Sequence, residues 1–225
     1  IAPVMYPKLD YDLERDLVPL ILVANVPQVL VVNPNVPASN LKEFMAWAKT
    51  QEQGVTYGSI GNGSGSHLTM ELFGHRSGLR MVHVPYRGTP EALTETASGR
   101  IDWFFAPLVS ALPLIQSGRL QALAVSAAQR SPLLPNVPSI SEAGFSSAAY
   151  TFWVGLFVTA KTPKTIVQKL HAGIMNVLTM PDVKERLEKL GAAAMPMPQE
   201  TFEKYLDDET LSAAQLVKTA GIRIE

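Results

Sequence analysis

Between residues 20 and 126 the chain alternates short β-rich runs with amphipathic segments, and no other feature constrains its fold as strongly. Runs at 20–32, 54–59, 80–86, 101–106 and 120–126 read as strands, the first breaking into two pieces near Pro27, with helices between them. Such a succession predicts an α/β protein with a mainly parallel sheet, because a crossover helix carries the chain back to where the next parallel strand starts. Two helix starts have a local mechanism. Ser39 is placed to cap a helix whose Leu41, Phe44, Met45 and Ala48 share one face, and Thr89-Pro90-Glu91 offers a cap, a first-turn proline and a first-turn acid for 90–98.

After Val125 the pattern breaks into "SAAQRSPLLPNVPSISEAGFSSAA", which reads as a long connection with at most one short helix and as a candidate crossing between domains. Beyond it "YTFWVGLFVTA" reads as a strand. Thr162-Pro163 then opens a helix on which Ile166, Val167, Leu170, Ile174 and Leu178 form a stripe. A second helix follows Pro181 and stops at Gly191. The last, roughly 199–219, carries Phe202, Tyr205, Leu206, Leu216 and Val217 and ends near Gly221, where glycine can take the left-handed closing conformation. The first twenty residues hold Pro3, Pro7 and Pro19 without a clear period, and lack an initiator methionine, so a processed or truncated N-terminus is expected.

With 225 residues and 47% apolar content, the chain can build a core in one large domain or two small ones. Its 19 basic and 20 acidic residues form no run of like charge, so there is no footprint for nucleic acid or an anionic membrane. The absence of cysteine excludes disulfides, thiolate nucleophiles and zinc–thiolate sites together. No stretch approaches the roughly 18 apolar residues of a membrane span, and no signal peptide is visible.

The chemistry is concentrated in "YGSIGNGSGSHL", Tyr57 to Leu68, where Gly58, Gly61, Gly63 and Gly65 are interleaved with Ser59, Ser64 and Ser66. A strand ending at Ser59 and a helix beginning near Ser66 or His67 would leave free backbone N–H groups at a helix N-terminus, beside hydroxyls able to donate to an oxygen. A carboxylate or phosphate suits such a loop, although glycine and serine are equally usual in a plain connector. Nucleotide motifs fail on single residues. A dinucleotide fingerprint from Gly61 needs glycine where Ser66 stands, and a phosphate loop from Gly58 needs lysine where Ser64 stands. No serine sits in a G-x-S-x-G elbow, which leaves acyl transfer by Ser64 and His67 with little support. His67, His75, His83 and His171 show no metal-ligand pairing with acids, and His67 is expected to cap its helix. Arg87, in the turn of "VPYRGTPEAL", could pair with an anion or simply be solvated. Trp103 and Trp153 read as core or cleft wall. Trp103, Phe104 and Phe105 could give one wall aromatic character, though strand alternation prevents all three from lining it.

The segments "YPKLDYDLERDLVPLILVANVPQVLVVNP", "YGSIGNGSGSHLTMELF", "VHVPYRGTPEALTETASGRID", "LQALAVSAAQRSPLLPNVPSISEAG" and "PKTIVQKLHAGIMNVLTMPDVKERLEKLGA" together closely resemble the Bug, or TctC-like, family. These are extracytoplasmic solute-binding subunits of tripartite tricarboxylate transporters. The resemblance implies a type II periplasmic binding protein fold of two α/β lobes hinged around a cleft. It implies a small mono- or dicarboxylate ligand, delivery to membrane permease subunits, a periplasmic, monomeric protein, and neither catalysis nor a cofactor. A signalling role, with the liganded protein docking on a membrane sensor, is the alternative. One lobe would comprise residues 1–27 and 149–225, the other 28–148. The ligand site would be drawn from Tyr57, Ser59, Gly61, Asn62, Gly63, Ser64, Ser66, His67 and Arg87. The family's second carboxylate-gripping loop, a proline and glycine turn after its first strand, has no counterpart here, so the resemblance implies a start inside the first lobe.

Overall fold

A computed structural model describes residues 10–220 of the chain. They divide into two compact units: one runs from Pro27 to Phe152, and the other takes the described residues up to Val26 together with those from Trp153 onward.

The Pro27–Phe152 unit is built on five strands: β2 (Gln28–Val32), β3 (Val55–Ser59), β4 (Met81–Pro85), β5 (Trp103–Pro107) and β6 (Gln121–Val125), arranged β4-β3-β5-β2-β6. Strand β3 is parallel to β4 and β5, but β2 lies between β5 and β6 and is antiparallel to both. The sheet is therefore mixed rather than mainly parallel in its pairings. Apolar runs report that a strand is buried on both faces, and they are silent about its direction.

Alternation splits this sheet into two cores. Leu30, Val32, Tyr57, Trp103 and Phe105 face α2 (Leu41–Lys49) and α3 (Gly65–Ser77), which add Phe44, Met45, Met70 and Phe73. Val29, Val31, Phe104 and Ala106 face α4 (Thr89–Ser98) and α5 (Leu108–Gln116), which add Ala92, Leu93, Leu108 and Ala111. The aromatic run Trp103-Phe104-Phe105 is thus distributed over both cores and fully buried, and forms no cleft wall. The predicted face of α2 is the buried one, Leu41, Phe44, Met45 and Ala48.

Two caps differ from expectation. Asn40, not Ser39, caps α2, its side chain accepting the Glu43 N–H, while Ser39 donates its own N–H and hydroxyl to Glu43. Gly88, not Thr89, precedes α4 without a side-chain cap, and Thr89 is already helical. The long passage after Val125 contains one short 3-10 turn, Ser146–Ala148, and packs onto this unit through a parallel bridge of Ser139 to Val125 and the buried Ile140.

In the other unit, α1 (Leu13–Asp16), capped by Asp12, leads into β1 (Leu17–Val26). β1 lies between β7 (Phe152–Thr159) and the short β8 (Ala193–Ala194). Helices α6 (Lys164–Thr179), α7 (Pro181–Lys189) and α8 (Gln199–Ala220) complete it. Val167 and Leu178 of α6 pack on Leu20 and Ile21, with Ile174 beside them. Ile166 and Leu170 of the same predicted stripe are exposed, since spacing defines an apolar face without supplying anything to cover it. Phe202 is buried against Gly155 and Trp153, whose indole N–H donates to Glu209. The expected closing glycine, Gly221, lies outside the described residues, as does the side chain of Leu216.

Candidate ligand-binding loop

Parallel strands β4, β3 and β5 end side by side, with Ser59 in register with Pro85, and each continues into a helix. In open α/β sheets this carboxyl-terminal edge is where ligands bind. The loop from Ile60 to Ser64 joins β3 to α3 there, and α3 starts at Gly65, slightly earlier than expected.

Gly61 and Gly63 have φ of 113° and 75°, values that L side chains rarely adopt, which is why the turn is written in glycine. Much of the loop's hydrogen bonding is internal. The Ile60 N–H donates to Ser66 Oγ (3.1 Å), Gly61 N–H to Ser59 Oγ (3.1 Å), Gly63 N–H to His67 Nδ1 (3.1 Å) and Ser64 N–H to the Gly61 carbonyl (3.2 Å). Ser64 is the N-cap of α3, its Oγ accepting the His67 N–H at 3.3 Å and lying 3.1 Å from Ser66 Oγ. His67 is therefore not the cap expected of it: it occupies the position where a capping box carries Glu or Gln, and its Nδ1 accepts from Gly63, one residue before the cap. The N–H groups of Asn62, Gly65 and Ser66 have no acceptor among the described residues. Those donors and one hydroxyl of the Ser64–Ser66 pair, the other proton being spent between the two oxygens, are what the loop can offer an anion at a helix N-terminus.

Beneath the loop, three near-parallel rings cluster around His83, with Tyr57 and His67 6.4 Å apart. His83 stacks on Tyr57 with centroids 4.8 Å apart, and His67 on His83 at 4.1 Å with planes 9° apart. Tyr57 is fully buried and donates its hydroxyl to Glu71, which lies 4.0 Å from His67 Nε2. Ser59 is also fully buried, with Oγ 2.6 Å from His83 Nε2. Burial holds both imidazoles below their ordinary pKa. For His67 the nearby Glu71 opposes this; for His83 the charge of His67 reinforces it and the value falls to about 4. Burial first, then Glu71, pushes the Tyr57 phenol up.

The nine residues singled out in the sequence are thus sorted by depth. Tyr57 and Ser59 lie under the loop, Gly61, Gly63 and His67 shape it, and Asn62, Ser64 and Ser66 carry its donors. Arg87 is exposed in the next turn, where its backbone N–H donates to Glu91. That turn adjoins the loop through its neighbour, since the Tyr86 N–H donates to the Ser59 carbonyl at 2.9 Å. His83 and Glu71 were not singled out. Glu71 stands four residues after His67 on one helix face, and His83 is the β4 partner of Tyr57, so both had a spacing signal. Ser64 and His67 do not form a nucleophile–base pair: Nδ1 is occupied by Gly63, and Nε2 faces Glu71. Among the described residues no group of three His, Asp or Glu side chains is arranged to hold a metal ion.

The chain matches the family described as the tripartite tricarboxylate transporter family receptor, TctC, over residues 1–222. It is 32% identical over 206 residues to the UPF0065 protein in the tcbD-tcbE intergenic region of Pseudomonas sp. strain P51, covering 91% of this chain and 61% of that protein. Its fold is that of solved periplasmic binding proteins. The R. palustris protein Rpa4515, solved with adipate, superposes with a TM-score of 0.90 at 29% identity, covering 97% of this chain and 73% of that one. MatC (Rpa3494) from Rhodopseudomonas palustris, solved with bound malate, gives 0.84 at 29% identity, covering 96% of this chain and 74% of that one. By the match along nearly its whole length, the chain belongs to the TctC family of receptors.

Proposed function

We propose that the protein captures a small mono- or dicarboxylate at the β3–α3 loop, in the periplasm, and delivers it to membrane subunits of a tripartite transporter. The observation that carries this is the set of unspent donors at the N-terminus of α3: the N–H groups of Asn62, Gly65 and Ser66 with one hydroxyl of the Ser64–Ser66 pair, whose other proton is spent between the two oxygens. Adipate in Rpa4515 and malate in MatC support the ligand class.

The energies are of the right size. Removing a carboxylate from water costs several kcal/mol, and each hydrogen bond from N–H or O–H to the charge returns about 1.5–3 kcal/mol. A helix N-terminus adds roughly 0.3–2 kcal/mol, whereas micromolar affinity requires only about 8 kcal/mol in all. Three or four donors therefore suffice without an arginine.

A thermal-shift panel of organic acids on the full-length protein tests this. A true ligand at a hundredfold over its Kd stabilises by about 2.7 kcal/mol, with a corresponding rise in Tm. No response to any mono-, di- or tricarboxylate would overturn the reading.

A further inference from the structure

We propose that His67 is a positioning residue for this loop and works as a proton-sensitive latch: the neutral ring holds the Gly63 N–H at Nδ1, and protonation of that nitrogen releases the glycine turn. The inference rests on the loop being the carboxylate site and adds how that site is held and regulated.

The chemistry follows from the lone pair. Nδ1 accepts the Gly63 N–H at 3.1 Å, so it carries no proton, and the neutral ring keeps its proton on Nε2. A second proton can go only to Nδ1, where it would meet the Gly63 N–H head-on and turn an acceptor into a competing donor. Gly63 has a φ of 75° and directly precedes Ser64, the N-cap of α3, so its release moves the start of the helix that carries the unspent donors.

The surroundings set when this happens. From β4, His83 stacks on the ring at 4.1 Å, so a charge on one imidazole opposes a charge on the other. From α3 itself, Glu71 Oε1 stands 4.0 Å from Nε2 and favours the imidazolium, opposing the burial that lowers the ring's pKa. From β3, Tyr57 fixes that carboxylate through its hydroxyl, and Ser59 engages His83. Strand β5 and the Ser146–Ala148 turn, both packed near α3, contain no ionisable side chain. On the other face of the sheet, the acids of α4 are committed, Glu91 to the Arg87 N–H and Glu95 to Arg100.

The asparagine variant isolates the latch, because Asn places an acceptor where Nδ1 was and does not titrate. Adipate affinity, with malate as a second probe, is measured by calorimetry from pH 7 to pH 5 on the full-length wild type, His67→Asn and His67→Leu. Amide exchange at Gly63 is followed on the same samples without ligand. Protonation of the adipate itself weakens all three proteins equally. We expect wild-type affinity to fall at least fivefold further than that of His67→Asn over this range, with Gly63 protection lost only in the wild type. At pH 7, His67→Asn should bind at least tenfold more tightly than His67→Leu. Parallel pH profiles for wild type and His67→Asn, or a Gly63 amide indifferent to pH, would overturn the latch; this comparison stands even if His67→Leu does not fold. Gly63 protection that titrates in a protein that also responds to no acid of the thermal-shift panel at pH 7 would instead sink the carboxylate site and, with it, the latch's role there.

Discussion

Replacing Ser64 separates the cap its hydroxyl forms from the ligand donor it is proposed to be. As N-cap of α3 it accepts the His67 N–H, and removing such a cap costs about 0.5–2 kcal/mol. At 3.3 Å this bond is long, which places Ser64→Ala toward the lower end, near 1 kcal/mol. Glycine at an N-cap costs only a few tenths of a kcal/mol, so Ser64→Gly should be nearly as stable as the wild type. As a donor to a bound carboxylate the same hydroxyl contributes about 1.5–3 kcal/mol, and its loss weakens binding by about 10- to 150-fold. That loss is common to both variants. The assay is urea denaturation for stability together with calorimetry for the best carboxylate of the thermal-shift panel. The expected pattern is two unequal stabilities with two similar, strongly reduced affinities. Affinities that track stability, with Ser64→Gly binding like the wild type, would show that Ser64 acts only as a cap and would refute its role as a ligand donor.

Acid should destabilise the Pro27–Phe152 unit. The His83 pKa is held at about 4 in the folded chain by burial and by His67, against roughly 6.5 unfolded, so the unfolded state binds more protons between those values. Stability is then full above about pH 6.5 and falls toward pH 4. The urea midpoint should drop across that window, and drop less in His83→Gln; a midpoint that rises on acidification would contradict this. Phe73→Ala removes a fully buried ring in contact with Trp103, Phe105 and Phe145, and should cost about 3–5 kcal/mol in denaturant titrations. A Cβ at Gly65 would lie 2.6 Å from Phe152 Cδ2, so Gly65→Ala should destabilise by about 1 kcal/mol and do so less in a Phe152→Ala background, as read by a double-mutant cycle.

What the sequence made legible follows from the range over which each signal acts. Strands β2 to β6 and the buried face of α2 were readable because a run of apolar residues, or their spacing, is a property of a few neighbours. The direction of β2 was not, because it depends on the chain entering between β5 and β6, strands that come more than seventy residues later. Caps shifted by one residue where two candidates stood together: Glu43 bonds both Ser39 and Asn40, and only the backbone conformation at Asn40 decides which is the cap. At the proposed site, the glycines and hydroxyls of 58–66 suited an anion loop by composition and a plain connector equally well. The ring cluster of Tyr57, His83 and His67 was hidden, since residues 57, 67 and 83 meet only once β3, α3 and β4 are adjacent.

In the proposed site, that ring cluster also bears on affinity. A glycine-rich loop free in solution would lose considerable backbone entropy on closing around a carboxylate, about 1–2 kcal/mol for each residue fixed. Here Gly61 and Gly63, the two residues with most freedom to lose, already have their N–H groups tied to Ser59 Oγ and His67 Nδ1. Ser59 and His67 are themselves buried and held by His83 and the ring stack. The ordering has therefore been done at folding, and a ligand meets donors already fixed in place. In the proposed site, His83 and Tyr57, buried beneath the loop, should influence binding mainly through the rate at which the complex dissociates, because a loosened loop holds its ligand for less time while still presenting the same donors on encounter.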